Sequence, residues 1–205
     1  MADKQKIMQI LLDTGAVAFS PEKPYTFSSG IKSPIYCDNR LLMSDPHIRK
    51  VIVDAFCDIV PRETKQIAGV ATAGIPWACW IADRLNLSLI YVRTKAKNHG
   101  TSKLIEGKFV VDETVLVEDL ISTAGSSLQA LDTLRDEHVF VTNLVAIFSY
   151  HFEATAHRLK ESEIKAKTIL ELEDLIAYAK EHSYLQDEDV RKVLQWQKDP
   201  DHWKK

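Results

Sequence analysis

No stretch of this sequence approaches the length of apolar chain that spans a bilayer, which argues against a helical membrane protein. The first residues, Met1 to Lys6, lead into an amphipathic pattern and not an apolar signal core, so export is not expected. Cysteine is sparse. Cys37, Cys57 and Cys79 are odd in number, far apart and without disulfide or metal spacing, and they read as reduced packing residues of a cytoplasmic protein. Basic excess is also missing, and a formal net charge of −3 argues against a nucleic-acid partner. Internal repeats and low-complexity segments are absent. So are the repeated close glycines that a dinucleotide fingerprint needs after a strand. His47, His138, His151, His157, His182 and His202 have no supporting partners at useful spacing, so no Ser–His–Asp triad or protein-ligated metal centre is expected.

What remains is an ordinary soluble composition, 45% hydrophobic and 27% charged over 205 residues, enough for one well-buried domain and short for two. Ile7, Ile10 and Leu11 share one helical face over Lys4 to Asp13, and Gly15 is placed to end it. Ala16 to Phe19 is a short β-like run. Tyr25 to Arg40 is extended, with Gly30 at its middle and aromatics on either side, and reads as a hairpin. Asp45-Pro46 opens a helix that Pro61 closes. Ile67–Ala71, a turn at Thr72–Pro76, a helix over Trp77–Leu85 and a strand over Ser88–Val92 make a βαβ unit. A second unit runs from Thr114–Val117 through a helix over Ser127–Asp136 to Val139–Phe148. The expected fold is α/β, a parallel central sheet flanked by helices. Three amphipathic helical patterns follow, over Thr155–Lys167, Asp174–His182 and Asp189–Gln197, with no chemistry evident in them.

The stretch from Val115 to Ser127 organises the rest. A buried strand ends in Glu118 and Asp119, the position where open parallel sheets place their ligands. After Leu120 and Ile121 comes the turn Ser122-Thr123-Ala124-Gly125-Ser126-Ser127, with hydroxyls and backbone N–H groups at the positive end of a helix, a ready cradle for phosphate. A polyol and a phosphate on one molecule would suit both halves, and ribose 5-phosphate is such a molecule. The segment from Arg93 to Lys103 carries four fixed cations and a histidine, and no acid. It follows a strand and so leaves from the same sheet edge as the two acids.

These motifs resemble those of the type I phosphoribosyltransferases. Val115–Ser127 matches their phosphoribosyl pyrophosphate (PRPP) motif, with Ala124 where a second glycine is usual. Ser29-Gly30-Ile31-Lys32-Ser33-Pro34 resembles the N-terminal signature of the orotate phosphoribosyltransferase family. Tyr91-Val92-Arg93, Lys95-Ala96-Lys97, His99-Gly100 and Ile105-Glu106-Gly107 resemble its mobile loop, although Thr101-Ser102-Lys103 departs from the glycine-rich tip. A further departure is Ala73, where many relatives carry lysine.

The resemblance implies a single domain over 1–205: an N-terminal helix and hood to about residue 40, an α/β core over about 45–150 and C-terminal helices over about 151–205. It implies transfer of a phosphoribosyl group from PRPP to orotate, giving orotidine 5′-monophosphate in pyrimidine synthesis. Lys97, Glu118 and Asp119 are the expected catalytic residues. Arg93, Lys97, His99 and the run Glu118, Asp119, Leu120, Ile121, Ser122, Thr123, Ala124, Gly125 and Ser126 are expected on PRPP, with Lys95 a lesser candidate. Ser122 is expected beside orotate, with Tyr36 and Cys37 weaker candidates. Magnesium would arrive on PRPP, without ligands from the protein. A cytoplasmic homodimer with shared sites is the implied assembly. A purine phosphoribosyltransferase, a PRPP synthetase and a nucleic-acid-binding regulator are the alternatives, and the loop and N-terminal signature speak against the first two.

Overall fold

The computed structural model describes residues 3–27, 30–94 and 104–203. Ser28, Ser29, Lys95, Lys97, His99 and Thr101 to Lys103 lie outside the described residues.

Helix α1 (Lys4–Asp13) starts at Asp3, whose carboxylate accepts the Lys6 N–H, and it buries Ile7, Met8 and Leu11. Strand β1 (Val17–Phe19) is followed by the hairpin of β2 (Tyr25–Thr26) and β3 (Lys32–Ser33), and β4 (Ile35–Cys37) returns antiparallel to β1. The extended reading of Tyr25 to Arg40 holds among the described residues as far as Cys37 and fails at Asn39 and Arg40, which enter a 3₁₀ turn; Tyr25 packs on Tyr36 with ring centres 5.4 Å apart. A short 3₁₀ turn (Asn39–Met43) leads to α2 (Pro46–Ile59), where Asp45 accepts from the His47 and Ile48 N–H groups and Pro46 occupies the first turn.

Next come β5 (Gln66–Val70), α3 (Gly74–Leu85), β6 (Ser88–Val92), β7 (Ile105–Glu106), β8 (Thr114–Val117) and β9 (Leu120–Ile121). The chain continues through α4 (Gly125–Asp136), β10 (Val141–Ser149), α5 (Glu153–Glu161), β11 (Lys165–Glu171), α6 (Leu172–Glu181) and α7 (Asp187–Lys198). The sheet order is β11-β10-β8-β5-β6-β7, with β9 also paired to β10. All pairs are parallel except β6 with β7.

Helices cover both faces, and the period-two alternation of the central strands feeds them. Val115 and Val117 of β8 join the core built with α2, α3, α6 and α7, while Leu116 joins the one built with α4. All four β8 residues are buried, as a strand with a neighbour on each side and helices on each face must be.

One element departs from the expectation. The helical pattern over Thr155–Lys167 ends as a helix at Glu161, and Lys165–Glu171 is an added edge strand parallel to β10. Glu163 at φ 52° turns the chain out of the helix, and Lys165 and Lys167 then alternate along a sheet edge, where lysines are well tolerated. Helices α3 and α4 also begin two to three residues earlier than expected, at Gly74 and Gly125.

Candidate active site

The chain enters the sheet at β5, moves outward to β6 and returns to place β8 on the other side of β5. The turns after β5 and β8 are thus neighbours at the carboxyl edge. Their helices diverge: Trp77, Ala78 and Ile81 of α3 pack on one face, Ala130, Leu131 and Leu134 of α4 on the other. This is the crevice where open α/β sheets bind ligands.

Glu118 and Asp119 stand at its floor. Glu118 is only 5% exposed. One of its oxygens accepts from Ser126 Oγ at 3.1 Å and the other from the Asp119 N–H at 3.2 Å. Neither acid has a salt bridge among the described residues. Burial, and then the charge of Asp119, lift the Glu118 carboxyl well above the usual carboxylate range, and burial also lifts Asp119. The pair therefore keeps a proton at pH values where isolated carboxyls have lost theirs, and it favours groups that bring donated hydrogens or positive charge. Asn39, 1% exposed, donates from Nδ2 to the Asp119 carbonyl oxygen at 2.7 Å and ties the N-terminal segment to this point.

Leu120 and Ile121 form β9 against Phe148 and Ser149, so Ile121, 1% exposed, contributes backbone and not side chain. Ser122 is half-buried, and Thr123, Gly125 and Ser126 are exposed. Ala124 sits in the left-handed region at φ 56°. That explains why glycine is usual there in the sequences this one resembles, and alanine holds the conformation at a modest cost. At Gly125 a Cβ would meet nothing nearer than Thr123 Oγ1 at 3.7 Å, so the protein leaves the space above the helix start open. The first N–H groups of α4 have no intrahelical acceptor, which makes this helix start a site able to receive an anion.

Arg93 lies at the end of β6, where its N–H donates to the Leu104 carbonyl at 2.9 Å. Its guanidinium is 3.6 Å from Glu106, so in the free chain its partner is that acid and not Glu118 or Asp119. Gln129 of α4, one turn beyond Gly125, donates to the Thr94 carbonyl at 3.1 Å. The cationic segment therefore departs beside the helix that carries the open turn. Cys37 is half-buried, and burial together with the charges of Asp119 and Asp38 holds its thiol well above the ordinary range, which makes it unreactive. A cavity of about 670 Å³ adjoins the loop, with Phe27 and Ile31 of the hairpin on one side, Ser122 and Thr123 on another, and Arg158 and Trp196 closing it.

The C-terminal segments, in which the sequence shows no chemistry, reach this loop. Thr155 Oγ1 donates to the Ser122 carbonyl at 2.8 Å and Arg158 Nη1 to the Thr123 carbonyl at 2.7 Å. Sequence reasoning missed both, as it missed the role of Asn39.

A scan against protein-family models finds no match. Among curated proteins the chain is 43% identical to the orotate phosphoribosyltransferase of Coxiella burnetii over 207 residues, 99% of each chain. The chain belongs to the orotate phosphoribosyltransferase family. The family member of Halalkalibacterium halodurans is likewise 43% identical, over 96% of each chain. Of solved structures, the orotate phosphoribosyltransferase of Aeropyrum pernix aligns with a TM-score of 0.76 at 26% identity, covering 88% of this chain and 99% of that one. The UMP synthase of Leishmania donovani aligns at 0.82 and 26%, covering 95% of this chain and 42% of that longer one. The fold also extends to the adenine phosphoribosyltransferase of Leishmania tarentolae, at 16% identity and a TM-score of 0.61. Architecture alone therefore does not choose the base, and family membership rests on sequence. Among the described residues no helix is long and apolar enough to cross a membrane.

Proposed function

We propose that the chain, as a single domain over 1–205, transfers the 5-phosphoribosyl group of PRPP to orotate and releases pyrophosphate and orotidine 5′-monophosphate. The observation that carries this is a carboxylate pair, Glu118 buried and Asp119 half-buried, beside an open helix start at one sheet edge, in a chain of this family. A ribose and its 5′-phosphate need those two features at that spacing.

In this reading Thr123 to Ser126 hold the 5′-phosphate through backbone N–H groups and hydroxyls, which fixes C1 for attack. Glu118 and Asp119 accept the ribose 2′ and 3′ hydroxyls. As the bond from C1 to pyrophosphate breaks and the bond from the base nitrogen forms, the sugar gains positive charge, and the pair, its proton released to solvent once the ribose hydroxyls donate to it, stabilises that charge. Arg93 exchanges Glu106 for the pyrophosphate, joined by Lys97 and His99, with Lys95 as a lesser contributor. Ser122 faces the base in the adjoining cavity, where Phe27 and Ile31 offer apolar walls. Magnesium, when bound, would supply charge neutralisation on the leaving pyrophosphate. Glu118, buried, and Asp119, half-buried, are crowded and without a salt bridge among the described residues, so positive charge brought in with the substrate would suit them.

The assembly belongs to the proposal too: a cytoplasmic homodimer in which Arg93, Lys97 and His99 of one protomer close over the site of its partner. The decisive assay follows loss of orotate absorbance on adding PRPP, with magnesium and after chelation, beside a panel of purine bases. Orotate should be consumed only with PRPP and magnesium present. Consumption of a purine instead, or full activity after exhaustive chelation, would sink the reading. Mixing inactive Lys97→Ala and Asp119→Asn proteins under exchange should return activity towards roughly a quarter of sites, by the arithmetic of random two-fold pairing. Exchange without recovery would place the loop over its own chain.

A further inference from the structure

The carbonyl groups of the loop can be accounted for one by one. Ile121 O accepts the Tyr150 N–H at 3.1 Å, Ser122 O accepts Thr155 Oγ1 at 2.8 Å, Thr123 O accepts Arg158 Nη1 at 2.7 Å, and Ala124 O accepts the Leu128 N–H at 2.9 Å. Four consecutive carbonyls are thus each drawn to a donor of the protein. A carbonyl fixed in this way orients the peptide plane it belongs to, and with it the N–H of the next residue. The peptide planes that carry the Thr123 and Ala124 N–H groups are set by Ser122 O and Thr123 O. Those two are the only carbonyls of the four held by side chains.

Both side chains come from α5, at positions three apart and so on one helix face. Thr155 is 4% exposed. A threonine inside a helix commonly returns its hydroxyl to a carbonyl of its own preceding turn. Here the hydroxyl instead reaches a loop 33 residues away in sequence. Arg158 lines the adjoining cavity while its guanidinium holds Thr123 O, and it shows no salt bridge among the described residues.

We propose that Thr155 and Arg158 are positioning residues for the phosphoribosyl group: by holding the Ser122 and Thr123 carbonyls from behind, they turn the following N–H groups towards the 5′-phosphate. This rests on the reading of the loop as the PRPP cradle. It assigns to α5 a part in substrate recognition although α5 carries none of the expected site residues. The hydroxyl is what Thr155 must supply, so valine, of nearly the same shape, should fail and serine should succeed.

The test compares wild type, Thr155→Val, Thr155→Ser and Arg158→Met in steady-state kinetics with PRPP and orotate varied separately, and in hydrogen exchange of the 120–127 peptide. Loss of one ordinary hydrogen bond corresponds to roughly a five- to tenfold change. The KM for PRPP should rise about that much in Thr155→Val and about threefold in the more exposed Arg158→Met. The KM for orotate should rise less than that for PRPP, since the oriented N–H groups face the phosphate, and Thr155→Ser should match wild type. Exchange should quicken in the 120–127 peptide with the rest of the sheet unchanged. If Thr155→Val does not fold, Arg158→Met, on the surface, decides with the same two readouts. A PRPP KM within twofold of wild type in both variants overturns the proposal, and so does a rise in Thr155→Ser equal to that in Thr155→Val. Wild-type protein that uses no PRPP overturns the underlying reading itself, a failure distinct from these.

Discussion

The turns after β5 and β8 begin alike, with a short buried strand and then small residues opening a helix, yet their glycines answer to different partners. At Gly74 a Cβ would fall inside contact distance of the Val117 carbonyl oxygen and close to the Glu118 Cα, because α3 begins hard against the end of β8. At Gly125 a Cβ would enter nearly empty space. Packing demands the first glycine, whereas no described neighbour demands the second, which the proposed phosphate cradle would use. A small residue at a strand end is thus ambiguous in sequence, and only the neighbouring atoms say which demand it meets. The acids deepen the contrast. The β5 turn is uncharged, whereas the β8 turn begins with buried Glu118 and half-buried Asp119, crowded and without a salt bridge among the described residues.

Substitutions at the two glycines should separate these demands. Gly125→Val should weaken PRPP binding by about a hundred- to a thousandfold, the scale for losing close backbone donors to an anion. Its unfolding free energy should remain within about 1 kcal/mol of wild type. Isothermal titration with PRPP and denaturant melts read the two quantities, and wild-type affinity would move the cradle elsewhere. Gly74→Ala should do the reverse first: a stability loss of about 2–3 kcal/mol from overpacking against fixed backbone, measured by the same melts. An unchanged midpoint would mean that α3 can slide away from β8.

A third test uses the charge that only the β8 turn carries. A raised Glu118 carboxyl means the folded state binds a proton that the unfolded chain has released. Stability of the ligand-free protein should therefore fall as pH rises from the ordinary carboxylate range towards that raised value, by at most about 1.4 kcal/mol per pH unit. Glu118→Gln should flatten the slope. A slope that persists in the variant assigns the titration to another group. The smallest effect is expected at Ala124→Gly, where relief of the left-handed strain at φ 56° is offset by loss of a buried methyl. A gain below about 1 kcal/mol should appear, and a clear loss would show that the methyl packs better than the strain costs.

How far this was legible in the sequence follows from how local each feature is. Glu118 to Ser126 could be read because a buried strand, an acid pair and a helix start lie within a dozen residues, each with its own composition. The βαβ alternation gave the sheet for the same reason. Strand β11 was hidden because Lys165 to Thr168 carry an edge strand's charges, which also suit a helix face, and the change of direction rests on Glu163 in a conformation glycine would have advertised. Asn39, Thr155 and Arg158 were invisible for a deeper reason. Their acceptors are backbone carbonyls, which every residue has, and no side-chain pattern marks which carbonyl will be met. Arg93 was named from the cationic run, but its present partner, Glu106, lies on an antiparallel strand that sequence spacing gave no reason to fold back.

The bond from Asn39 to the Asp119 carbonyl spans 80 residues, and those from Thr155 and Arg158 to the loop span 33 and 35. During synthesis the hood, β5 and β8 leave the ribosome before the helix that holds the loop exists. Loop closures of that length form late in folding, after the local pieces are in place. Such a nascent chain could complete its sheet through β10 while Ser122 and Thr123 still lacked their donors. On the proposed reading, competence to bind substrate is deferred until α5 has emerged and docked, so about the last quarter of the chain acts as the timer for a site whose reactive groups lie in the middle.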